Sequence, residues 1–142
     1  MFLPHKTAAG NVIPWEYLPS AAITPKAGMA MVQSSGNLKA AVGTDRPTYI
    51  CMAERSDAVT AGEIIPVIRV DETTIYETTN SAAFTSVKLG DKVKLHASDG
   101  LQVTATTGGP AEVVWFDDAA KAGAGGVVHV RFPAPAAAAS GS

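Results

Sequence analysis

The stretch Leu89-Gly90-Asp91-Lys92-Val93-Lys94-Leu95-His96-Ala97-Ser98-Asp99-Gly100-Leu101 decides the fold class. Val93 and Leu95 alternate with Lys92, Lys94 and His96, the period-two pattern of a half-buried strand. Asp99-Gly100 then supplies the positive φ that a tight connection requires. Residues 92–96 and 101–105 therefore read as a β-hairpin. An earlier stretch repeats the design, with 29–33 turning through Ser34-Ser35-Gly36-Asn37 into 38–42.

Outward from these hairpins, the chain matches itself at an offset of 62 to 63 residues. Lys26-Ala27-Gly28 aligns with Lys88-Leu89-Gly90, Leu38 with Leu101, Thr44 with Thr107, Pro47 with Pro110, and Ala61-Gly62 with Ala124-Gly125. Apolar positions follow the same order: Ile50 against Val113, Ile64-Ile65 against Val127-Val128, and Val67 against Val130. Repetition at a long fixed period points to one supersecondary unit used twice. In each half a proline, Pro47 or Pro110, precedes a more apolar strand, 49–53 or 113–116, where a missing donor costs least. A glycine-bearing loop then leads to 64–70 or 127–132. The expected architecture is all-β: a compact barrel or sandwich of about eight strands built from pseudo-repeats 26–70 and 88–132. Linker 71–87 joins them, with 73–78 as an extra hairpin arm, and Asp117 to Ala122 has room for one helical turn.

Residues 1–25 differ in character. Pro4, Pro14, Pro19 and Pro25 stand among Phe2, Leu3, Val12, Ile13, Trp15, Tyr17 and Leu18. Proline fixes its own φ and pushes the preceding residue out of the helical region, so an extended arm is expected. At the other end, 133–142 holds only Pro, Ala, Ser and Gly and reads as a flexible tail. No charged region followed by an apolar run opens the sequence, so no secretory signal is read there, and no apolar run approaches a membrane span.

The 142 residues match the size of one domain. Lys and Arg number 11 against 13 Asp and Glu, a net charge of -2, which argues against holding a phosphate backbone. The single cysteine, Cys51, excludes an internal disulfide framework and a multi-cysteine zinc site, and reads as a packed, inert thiol. His5, His96 and His129 show none of the spacings that gather metal ligands or a catalytic base. Asp117-Asp118 reads as a solvated turn, and Gly123-Ala124-Gly125-Gly126 lacks the Lys-Ser/Thr of a phosphate loop. With no acid, base and oxyanion set to name, no catalytic residue, metal or cofactor is expected, and the chain is read as a non-enzyme. Trp115, within Val113-Val114-Trp115-Phe116, is expected in the core. Should it be exposed with Tyr49 or Tyr76, a carbohydrate-binding or host-attachment module becomes the rival reading.

The apolar arm carries the functional expectation. Phe2, Trp15 and Tyr17 must lie on their own domain or on a partner, and extended segments commonly bind by adding to a sheet edge. Phe2, Leu3, Val12, Ile13, Trp15, Tyr17 and Leu18 are the expected partner-binding residues. Taken with the doubled β core, marked by Lys26-Ala27-Gly28 and the stretch quoted first, and the missing active site, this pattern resembles the small head decoration, or cement, proteins of tailed bacteriophages. The resemblance spans 1–132. It implies a structural protein on the outer surface of the virion, made in the host cytoplasm and attached to the assembled major capsid shell. Self-association, with a trimer favoured, is implied as well, and neither nucleic acid nor membrane is an expected partner.

Overall fold

A computed structural model describes residues 1–135, so 136–142 of the expected tail lie outside the described residues. Among the described residues eleven strands form in chain order. They are β1 Leu3–Lys6, β2 Trp15–Pro19, β3 Ala30–Ser34, β4 Asn37–Ala40, β5 Tyr49–Cys51, β6 Ile64–Arg69, β7 Ile75–Thr79, β8 Lys92–Leu95, β9 Val103–Thr107, β10 Ala111–Phe116 and β11 Val127–Arg131. One short helix, α1 Asp118–Ala122, stands between β10 and β11. Asp117 caps it by accepting from the Ala120 N–H at 2.9 Å, and it also accepts from Val127 N–H at 3.2 Å. The acid expected on a solvated turn thus satisfies donors that a helix start leaves unpaired.

Two antiparallel sheets result: a five-stranded first sheet in the order β2-β6-β5-β3-β4 and a six-stranded second sheet in the order β1-β7-β11-β10-β8-β9. With β1 set aside, both follow one path through the chain. Their registers correspond as well, since Met31↔Tyr49 and Cys51↔Val67 in the first sheet stand where Val93↔Ala111 and Val113↔Val130 stand in the second. In each sheet the first strand of the path also touches the last through one isolated parallel bridge, Ser20↔Leu38 or Asn80↔Val103. Among the described residues no closed barrel forms; the architecture is an all-β sandwich.

Several sequence expectations change in detail. The segment read as a linker supplies β7, which lies between β1 and β11 as an internal strand. Within the expected arm, residues 1–25, two extended segments join the sheets: β1 adds to β7 and β2 pairs along β6 from Trp15↔Ile68 to Pro19↔Ile64. Sheet edges offer unpaired N–H and C=O groups, and these two extended segments satisfy them. The hairpin after β8 closes later than Asp99-Gly100 suggests, with β9 starting at Val103. Gly100 instead crosses to the first sheet, where its carbonyl accepts from Ala30 N–H at 2.9 Å. A Cβ on Gly100 would come within 2.6 Å of the Ala41 carbonyl, so the close approach as well as its φ of +63° requires glycine. Structurally, Leu38 therefore corresponds to Val103 and not to Leu101.

Two cores hold the sandwich. Met31, Leu38, Tyr49, Cys51, Ile65 and Val67 pack on one face of the first sheet, covered by Val59 and the partly buried Ile23. Ala30, Ile50 and Ile68, from its other face, join Val93, Val113, Val128 and Val130 of the second sheet in a larger core with Phe2, Tyr76 and Phe132. The first sheet is thus buried on both faces around Ala30, Ile50 and Ile68, and the second on one. Arg46 closes the seam, donating from Nε to the Pro133 carbonyl and from Nη2 to the Phe132 carbonyl, both at 2.9 Å.

Candidate functional site

The expected partner-binding residues separate into two groups. Phe2 is fully buried, 5.6 Å from the Phe132 ring, with its N–H donating to the Gly28 carbonyl at 2.7 Å. It is a core residue, because the pairing of β1 with β7 carries the chain start across the seam between the sheets. Ile13 and Leu18 are half-buried against the two cores. Val12, Tyr17 and Trp15 remain outside, 92%, 65% and 55% exposed, and Leu3 is exposed on β1. Directly opposed residues of an antiparallel pair project to one face. Trp15, Tyr17 and Pro19 therefore share a face with Ile68, Pro66 and Ile64, and the exposed Ile64 extends an apolar stripe across β2 and β6. Clefts of about 250 and 320 Å³ are both lined by Val12 and Ile13, the first also by Trp15 and Met52 and the second by Glu16 and Arg69. β2 is an edge strand of its sheet, whereas the corresponding edge, that of β7, is covered by β1.

A second cluster lies on the outward face of the second sheet, where spacing in sequence gave no sign of one. Glu77 pairs in register with His129, whose Nε2 donates to the Glu77 carboxylate at 2.9 Å. A register shift between Pro4 and Lys6 leaves His5 beside them, with Nδ1 3.9 Å from the same Glu77 oxygen. The His5 and His129 rings lie 4.1 Å apart between centroids, and the Trp115 ring is 4.8 Å from that of His129. Trp115 was expected in the core. A register shift between Val113 and Trp115 re-aims it, as a bulge does, and leaves it 46% exposed. Three strands distant in the chain thus bring together histidines separated by 124 residues. The only sequence signal available was the period-two outward placement of Glu77 and His129, which becomes informative once the strand order is known.

The other candidates have structural roles. Burial raises the Cys51 thiol above its ordinary range, and the residue lies in the core of the first sheet, where it was expected to pack. Tyr49 and Tyr76 are buried, so of the three aromatics of a sugar platform only Trp115 faces solvent. His96 lies on the second hairpin with Nδ1 3.3 Å from Asp99, remote in register from the His5 cluster. Among the described residues no helix is long and apolar enough to cross a membrane. No model of a known protein family matches the chain, and no curated protein matches it.

Proposed function

We propose that the chain is a structural head decoration, or cement, protein of a tailed bacteriophage, which binds the outer surface of the assembled major capsid shell and stabilises it. The observation that carries this reading is the apolar stripe of Trp15, Tyr17 and Ile64, with Val12 nearby, on an edge strand whose outer side meets β4 only through the Ser20↔Leu38 bridge just past its end. A large exposed apolar surface beside an open strand edge suits a partner that supplies both side-chain contacts and a strand. The matching strand order of the two sheets accords with a duplicated unit, the second feature on which the resemblance rests. In this reading the two sheets are a rigid mount for the stripe. Binding only the expanded shell shifts its equilibrium by mass action, and many copies in one lattice act together. Self-association, with a trimer favoured, belongs to the same proposal.

Removing residues 1–19 is not a clean test, because it takes Phe2 out of the core and two strands out of the sheets. Trp15→Ala combined with Tyr17→Ala leaves the core untouched. Co-sedimentation with expanded shells of the encoding phage should show roughly hundredfold weaker attachment, since exposed aromatics dominate interfaces once buried by a partner. Trp115→Ala should attach as the parent does. Parent-like attachment of the double variant would overturn the assignment, and saturable glycan binding lost in Trp115→Ala would favour a carbohydrate module instead.

A further inference from the structure

We propose that His5, Glu77 and His129 form a binding site for one divalent ion of the zinc class, independent of the apolar stripe and of the function proposed for it. One nitrogen from each imidazole and one oxygen of the carboxylate lie within 4.8 Å of one another. Ligand atoms around a tetrahedral ion bonded at about 2.1 Å are roughly 3.4 Å apart. The observed separations from the Glu77 oxygen, 2.9 Å to His129 and 3.9 Å to His5, bracket that spacing. His5, the exposed and outermost of the three, is the ligand that would have to move to bring the atoms to a common centre. Two imidazoles and one carboxylate select Zn²⁺, Co²⁺ or Ni²⁺ over the harder Mg²⁺ and Ca²⁺, which favour oxygen ligands.

The backbone fixes two of the ligands before any ion arrives. Glu77 and His129 are register partners in adjacent strands, and the indole of Trp115 packs against the His129 ring, limiting its rotation. The third, His5, belongs to β1, whose strand pairing is with β7 alone. An ion held by all three joins the N-terminal strand to β7 and β11, and solvent fills the remaining coordination position. It would therefore act as a staple on the segment that delivers Phe2 to the core. Binding requires neutral imidazole, so protons compete with the ion.

The untagged full chain titrated with CoCl₂ should develop a saturable ligand-field absorption at one ion per chain, reversed by excess ZnCl₂. Calorimetry with ZnCl₂ should give the same stoichiometry, and the ion should raise the midpoint of thermal unfolding. His5→Ala and His129→Ala should each weaken binding roughly a hundredfold, while His96→Ala, which alters the other imidazole–carboxylate pair, should bind as the parent does. Because Trp115 adjoins His129, Ni²⁺ should quench its emission, and Trp115→Phe should remove that quenching while leaving the stoichiometry unchanged. Circular dichroism of His5→Ala, altered only on an exposed edge strand, checks that the fold persists. Absence of saturable binding, or binding that survives both His5→Ala and His129→Ala, would overturn the site.

Discussion

The two sheets share a strand order and a register, yet their outward faces are opposites. The pair Ile50↔Ile68 in the first sheet occupies the position of Glu112↔Arg131 in the second. The isoleucines are buried in the shared core, whereas Glu112 and Arg131 form an ion pair at 2.7 Å on the surface. One step along, Tyr17↔Pro66 lies where Glu77↔His129 lies in the other sheet. Side chains on one face of a strand can change without disturbing the alternation on the other. The comparison therefore teaches that the inner face and the turns set the common backbone path. The outer face then determines whether a sheet carries an internal layer, an exposed apolar stripe or a polar cluster.

Exchanging the outer pairs gives the largest expected effect. Ile50→Glu with Ile68→Arg puts an ion pair into a dry core and should cost about 4 kcal/mol or more in urea unfolding. Glu112→Ile with Arg131→Ile, at the solvent face, should change stability by less than about 1 kcal/mol. Similar costs for the two exchanges would mean that the sheets are not differently buried.

The buried polar residues that follow β2 and β7 sharpen the comparison further. The two N–H groups of Asn80 Nδ2 are shared among the carbonyls of Ala82, Ala120 and Gly123 at 2.7, 2.9 and 2.8 Å, and Oδ1 accepts from Gly126 N–H at 2.8 Å. It ties α1 and the glycine loop to the sheet. Gly126 itself has no room for a side chain, because a Cβ there would fall 2.1 Å from Ala120 N. Ser20, in the corresponding place, makes a single side-chain bond, from Oγ to the Ala21 carbonyl at 2.8 Å. Asn80→Ala should therefore cost about 3 kcal/mol, since it strands several buried groups, against about 1 kcal/mol for Ser20→Ala. Equal losses in thermal unfolding would show that the network around α1 is not what fixes the second sheet.

The β class and most strand positions were legible in the sequence because they depend on local signals. Alternation at Val93 and Leu95, and glycines such as Gly28 and Gly90 with φ of +80° and +91°, act within a few residues. What escaped depends on pairings between distant segments. Phe2 and Trp15 look alike in composition, but one enters the core and the other faces solvent, because β1 and β2 join different sheets. Gly28 and Gly90 align in sequence, yet only Gly28 has Met1 and Phe2 lying over it. The His5 cluster was illegible for the same reason. Its members come from three strands, and a register shift of one residue decides whether His5 reaches Glu77.

The smallest expected effect tests a difference in the inner faces. Cys51 of the first sheet stands where Val113 stands in the second, so only the first sheet carries a titrating group at that point. Burial raises the Cys51 thiol, and it raises the Tyr76 phenol in the shared core as well. An unfolded thiol ionises first as pH rises; the unfolded state then binds fewer protons than the folded one, and stability falls. The loss begins near the ordinary thiol range, about pH 8.5, and continues until the folded-state thiol ionises. Tyr76 contributes in the same direction at higher pH. Cys51→Val copies the other sheet, and should change stability at neutral pH by less than about 1.5 kcal/mol while flattening the first part of the alkaline decline. Urea midpoints measured from pH 7 to pH 10 provide the check. A decline as steep in Cys51→Val as in the parent would place its origin elsewhere, and would remove the thiol from the differences that separate the two sheets.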